Sequence, residues 1–138
     1  MNISEEKYLE IKPDQLEKAK ALAEKISLIL DDKKARQVKI IETNKQTIIA
    51  DYFVIATGTS STHIRALSGE VDFQLNQSAD LQPSRISGLD SNDWIILDYD
   101  SVLVHIFNSE APDYYKLEKL WGDGESVNVE EILKLQEE

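Results

Sequence analysis

A chain of 138 residues, 41% apolar and 30% charged, is long enough for one domain with a real core. It contains no cysteine, which excludes disulfides, thiol catalysis and cysteine-ligated zinc. A net charge of −11 at pH 7 argues against direct nucleic-acid recognition, because phosphates attract basic surfaces; it suits a basic partner instead.

No apolar run approaches the roughly 20 residues that span a bilayer. The opening Met1-Asn2-Ile3-Ser4-Glu5-Glu6-Lys7 lacks the basic-then-apolar pattern of a signal peptide. A cytoplasmic protein with no membrane contact is therefore expected.

Residues 1–12 form a polar N-terminal lead-in, and Pro13 opens a helix. Leu16, Ala19, Ala23, Ile26 and Leu30 recur at helical spacing, with Leu22 and Ile29 widening the stripe. Strands are predicted over 38–43 and from about 47 to 56, joined by a turn at Asn44-Lys45. Thr57-Gly58-Thr59-Ser60-Ser61 then reads as a loop, with Ser60 or Ser61 capping the next helix. Ile64, Leu67, Val71 and Leu75 mark that helix's apolar face, and it is predicted to end before Asn76. A short strand is expected near 85–87. Strands at 94–98 and 102–107 flank a tight polar turn, Asp98-Tyr99-Asp100-Ser101. A helix with Tyr114, Leu117 and Trp121 on one face follows, and a short helix over 128–135 lies in the acidic end. Residues 110–138 hold nine carboxylates against three lysines. This order favours one mixed sheet of about five strands flanked by helices.

Three constellations invite a chemical reading. The loop 57–61 lies between strand and helix, where backbone N–H groups can hold an anion. It lacks the glycine spacing of a dinucleotide site and the lysine of a P-loop, so a plain loop with a helix cap competes. Asp98 and Asp100, at i and i+2, could share a magnesium ion, as in a metal-dependent nucleotidyltransferase. Aspartate also shapes turns, and no third carboxylate is evident on a neighbouring strand. His105 shares a strand face with Leu103 and Phe107, opposite Val102, Val104 and Ile106. It can be a base or ligand, or a partly buried histidine with a structural hydrogen bond. Trp94 begins a strand after a polar loop, which makes it a candidate exposed anchor for a partner.

The chain resembles the ribosomal silencing factor family, also called Iojap-like. The residues that carry the likeness are Asp51-Tyr52-Phe53-Val54-Ile55-Ala56-Thr57-Gly58-Thr59-Ser60, Asp93-Trp94-Ile95-Ile96-Leu97-Asp98, Val104-His105-Ile106-Phe107 and Tyr115-Lys116-Leu117-Glu118-Lys119-Leu120-Trp121. They divide the chain into the lead-in at 1–12, a family domain over 13–121 and an acidic extension over 122–138. The resemblance implies a nucleotidyltransferase-like α/β fold without the catalytic apparatus, and a homodimer. It also implies binding to the large ribosomal subunit through ribosomal protein fourteen, which blocks subunit joining and slows translation when nutrients are short. Joined with the residue readings, it gives an expectation of no catalytic residue, no metal and no cofactor. Trp94 is the expected apolar anchor. Asp98 and Asp100 are the charge partners, and His105 and Glu118 are polar contacts or supports.

Overall fold

The computed structural model describes residues 13–45, 48–111 and 114. The predicted helix beyond the hairpin, the helix over 128–135, Glu118 and the lead-in lie outside the described residues, apart from Tyr114, which is helical and buried.

Helix α1 spans Pro13–Asp32. Its stripe is buried as spaced: Ala19, Ala23, Ile26 and Leu30 point into the core. The helix stops where Lys34 turns left-handed at φ 69°. There the Ala35 and Lys34 N–H groups return to the Leu30 and Asp31 carbonyls, which satisfies the carbonyls of the last turn. Strand β1 (Arg36–Glu42) follows, broken by a bulge at Gln37, φ 53°. Strand β2 (Tyr52–Gly58) is buried throughout. It starts later than the sequence indicates, because Ile48 and Ile49 form an exposed bend instead of extending it. β-branching raises strand propensity, but that preference depends on burial against sheet neighbours, and here both side chains are largely exposed.

Helix α2 (Ser61–Ala79) is capped by Ser60, whose hydroxyl accepts the His63 N–H. It runs past the predicted stop to Asp80, whose left-handed backbone closes it. Ile64, Leu67, Val71 and Leu75 are buried, as their spacing requires. Strands β3 (Arg85–Ser87), β4 (Trp94–Asp98) and β5 (Val102–Asn108) complete the sheet. The strand order is β1-β2-β5-β4-β3. β2 and β5 run parallel, and the other pairs run antiparallel.

The pleat sends alternate residues to opposite faces. On the first face Val54, Ala56, Ile95, Leu97, Val104 and Ile106 pack with both helices. On the second, Phe53, Ile55, Trp94, Ile96, Leu103 and Phe107 form a separate core with Ala111 and Tyr114. Helical pairing of α1 with α2 is fastened by Lys33 and Glu70, 3.8 Å apart, and by Lys25 donating to Ser78. No described helix is long and apolar enough to cross a membrane.

Candidate functional site

The hairpin turn and the second sheet face hold most of the residues the sequence singles out. At the turn, the Asp98 carboxylate accepts the Asp100 N–H at 2.8 Å. The left-handed Asp100 (φ 65°) in turn accepts the Ser84 hydroxyl at 3.1 Å. Aspartate suits both tasks: its short side chain bonds nearby backbone and tolerates φ > 0. Tyr99 between them is buried in the first core. Burial, with Asp72 nearby, pushes its phenol well above the ordinary range.

Trp94 and His105 meet on the second face, as the register dictates. Trp94 pairs with Phe107 across β4 and β5, and so sits diagonal to His105. The Trp94 indole N–H donates to His105 Nδ1 at 3.2 Å. That bond assigns the proton to Nε2, which is buried and has no hydrogen-bond partner among the described residues. Phe53, Trp94 and Phe107 enclose the imidazole, with ring centroids at 4.8, 5.8 and 6.3 Å. Burial lowers the His105 pKa to about 3. A ring so enclosed and so weakly basic has neither the access nor the pKa of a general base near neutrality.

The position of Trp94 corrects the sequence reading. Its place after a polar loop predicts an exposed anchor, yet only 2% of it is exposed. Stacking on Phe107 at 4.7 Å and bonding to His105 bring both ends of the indole inside, so the polar loop before it gives no guide to its orientation. His105 falls on the predicted face with Leu103 and Phe107, but as a wholly buried group. Asp98 is half-buried and Asp100 exposed.

The nucleotidyltransferase layout does not assemble. The Asp51 N–H bonds the Ser101 carbonyl, which places the carboxylate turn at the start of β2. The Ser109 N–H bonds the Gly58 carbonyl, which marks the other end. Seven residues of strand hold the turn and the small-residue loop about 20 Å apart. One phosphate-bound metal cannot serve both. The loop is also internally occupied: the Thr59 N–H donates to His63 Nδ1 at 3.0 Å, and the Ser60 hydroxyl takes the His63 N–H. His63 Nε2 then bonds the Lys33 carbonyl at 3.1 Å, tying the loop to the end of α1. No local pattern signals this bracing role for His63, because its partner lies 30 residues away. Gly58 beside it lets the backbone approach closely: a Cβ there would meet Ile64 Cγ2 at 2.9 Å and His63 Nδ1 at 3.1 Å. Among the described residues, no group of three or more His, Asp or Glu side chains is placed to hold a metal ion.

Comparison with known proteins agrees with this geometry. The family model described as ribosomal silencing factor during starvation matches residues 16–138. A ribosomal silencing factor of Halalkalibacterium halodurans is 35% identical over 104 residues, 75% of this chain and 88% of that protein. A crystal structure of a protein from Chromobacterium violaceum superposes with a TM-score of 0.65 at 29% identity, covering 72% of this chain and 83% of the other. A second, from Bacillus halodurans, gives 0.63 at 30% identity, covering 75% and 94%. The mixed five-stranded sheet stands, but its expected likeness to the nucleotidyltransferases is overturned: these structural neighbours share the silencing-factor fold. The chain belongs to the ribosomal silencing factor family, whose members are regulatory, non-catalytic proteins that repress translation.

Proposed function

We propose that this protein binds the large ribosomal subunit through ribosomal protein fourteen, blocks its joining to the small subunit, and so represses translation when nutrients are limiting. The family match over residues 16–138 carries this reading. The net charge of −11 supports it, since an acidic surface speeds encounter with a basic ribosomal protein. Asp98 and Asp100 are the proposed charge partners. Trp94 and His105 contribute from inside, by holding the hairpin that carries the turn. Glu118 is a further proposed polar contact. The family domain over 13–121 is the proposed binding unit, with the acidic extension over 122–138 appended to it. The working site is the cytoplasm, and the free protein is a homodimer.

Co-sedimentation with purified large subunits tests the binding step. The chain is expected to pellet with large subunits and to be displaced by an excess of free ribosomal protein fourteen. Failure to pellet removes the reading. Pelleting that free protein fourteen does not compete removes the named contact. Sedimentation equilibrium of the chain alone reads the dimer directly, and a species at the monomer mass of 15.7 kDa throughout contradicts that part.

A further inference from the structure

One cavity lies apart from the buried aromatic face. It has a volume of about 570 Å³ and sits where β2 and β5 begin, between the first turns of α1, the bend at 48–51 and the hairpin turn. That size is in the range of binding clefts and exceeds what one side chain fills. Its walls are of two kinds. Leu22, Ile48 and Ile49 supply apolar surface, with Ile48 52% and Ile49 40% exposed. Among the described residues, Asp98, Asp100 and Asp51 supply three carboxylates against one ammonium, Lys18. Asp98 and Asp100 are held in place by the Asp100 N–H and the Ser84 hydroxyl, so an incoming cation need not order them.

Exposed branched side chains beside fixed carboxylates match a ligand that is part apolar and part cationic. Lysine and arginine have this build, with a hydrocarbon stem and a charged head. We propose that the cavity is a socket for a short segment of the ribosomal partner carrying a lysine or arginine among apolar residues. The charged head meets Asp98 and Asp100; the stem and its neighbours cover Ile48 and Ile49. Lys18 opposes this cation and limits the affinity. The inference rests on the ribosomal reading above, and adds to it the place and chemistry of the contact.

The test is equilibrium co-sedimentation of the full chain with purified large subunits, comparing wild type with three variants. Asp98→Asn with Asp100→Asn removes both charges; it keeps the oxygen that accepts the Asp100 N–H, and asparagine tolerates the left-handed φ at 100. This double variant is expected to bind about tenfold or more weakly, with the gap narrowing at high salt. Ile48→Ser, at an exposed position, is expected to bind a few-fold more weakly, about what one lost apolar contact gives. Lys18→Gln is expected to bind more tightly, because it removes the opposing charge. Thermal unfolding confirms that each variant folds; Ile48→Ser and Lys18→Gln decide the question if the double variant does not. Wild-type affinity in the double variant, or weaker binding by Lys18→Gln, overturns the socket while leaving the ribosomal reading standing. If wild type itself does not pellet, the ribosomal reading falls and the socket with it.

Discussion

Replacing Trp94 with alanine is expected to destabilise the fold by about 3–5 kcal/mol, the range for removing a large buried aromatic. That is a large part of the 5–15 kcal/mol that typically holds a domain together. The indole is 2% exposed, stacks on Phe107 and donates to His105, so the deletion leaves a void and an unsatisfied acceptor together. Trp94→Phe separates the two effects. It keeps an aromatic ring against Phe107 and removes the N–H with a part of the indole's volume, the stranded His105 Nδ1 alone costing about 1–3 kcal/mol. Urea unfolding of the three proteins measures both steps. A loss under about 1 kcal/mol in Trp94→Ala would return the residue to the surface role that its place in the sequence first indicated.

The second large effect is a dependence of stability on pH that His105 imposes. Its folded-state pKa is lowered to about 3 by burial, against an ordinary value of 6.5. Between these values the unfolded chain takes up a proton that the folded chain refuses. Stability is therefore complete above about pH 6.5 and falls as the pH drops toward 3, by at most about 1.4 kcal/mol per unit. By pH 5 the loss from this one group reaches about 2 kcal/mol. Urea unfolding at pH 7 and pH 5 tests it, with His105→Gln as the reference that lacks the titration. Wild type should lose about 2 kcal/mol more than the variant across that step. Equal losses would mean that the imidazole is hydrated or protonated in the folded protein.

His105 Nε2, without a partner among the described residues, gives these two predictions a common basis. A buried donor without an acceptor is destabilising. The surrounding rings fix its position and deny it water. Protonation would add a charge in the same enclosure, with no second acceptor for it. Trp94 and His105 therefore act as one unit that holds β4 against β5 behind the acidic turn.

Periodicity in the sequence located much of this architecture. The spacings of α1 and α2 named their buried faces, and the alternation in β5 placed His105 with Leu103 and Phe107. These patterns are local, and the helix and strand repeats write them directly. Ile48 and Ile49 read as strand in the sequence because β-branching looks the same in a strand and in an exposed bend. Trp94 reads as exposed in the sequence, but a polar loop before a strand says nothing about which face its first residue joins. The braces His63 to Lys33 and Ser84 to Asp100 span 30 and 16 residues, so no local pattern contains them. The cavity is formed by three segments far apart in the chain, and only the fold brings Lys18, Ile48 and Asp100 together.

The separation of the carboxylate turn from the small-residue loop sharpens the functional reading. Each segment alone suggests phosphate chemistry. The length of β2 and the hydrogen bonds at its ends keep them apart. What remains at the turn is a pair of carboxylates held by local hydrogen bonds beside exposed isoleucines.

Subunit joining is the measurement closest to the central claim. Purified large and small subunits are mixed with increasing amounts of the chain, without nucleotide, and the joined ribosomes are followed by light scattering. The account predicts that joining falls as the chain saturates the large subunit. Joining that proceeds undiminished at a saturating concentration would contradict it.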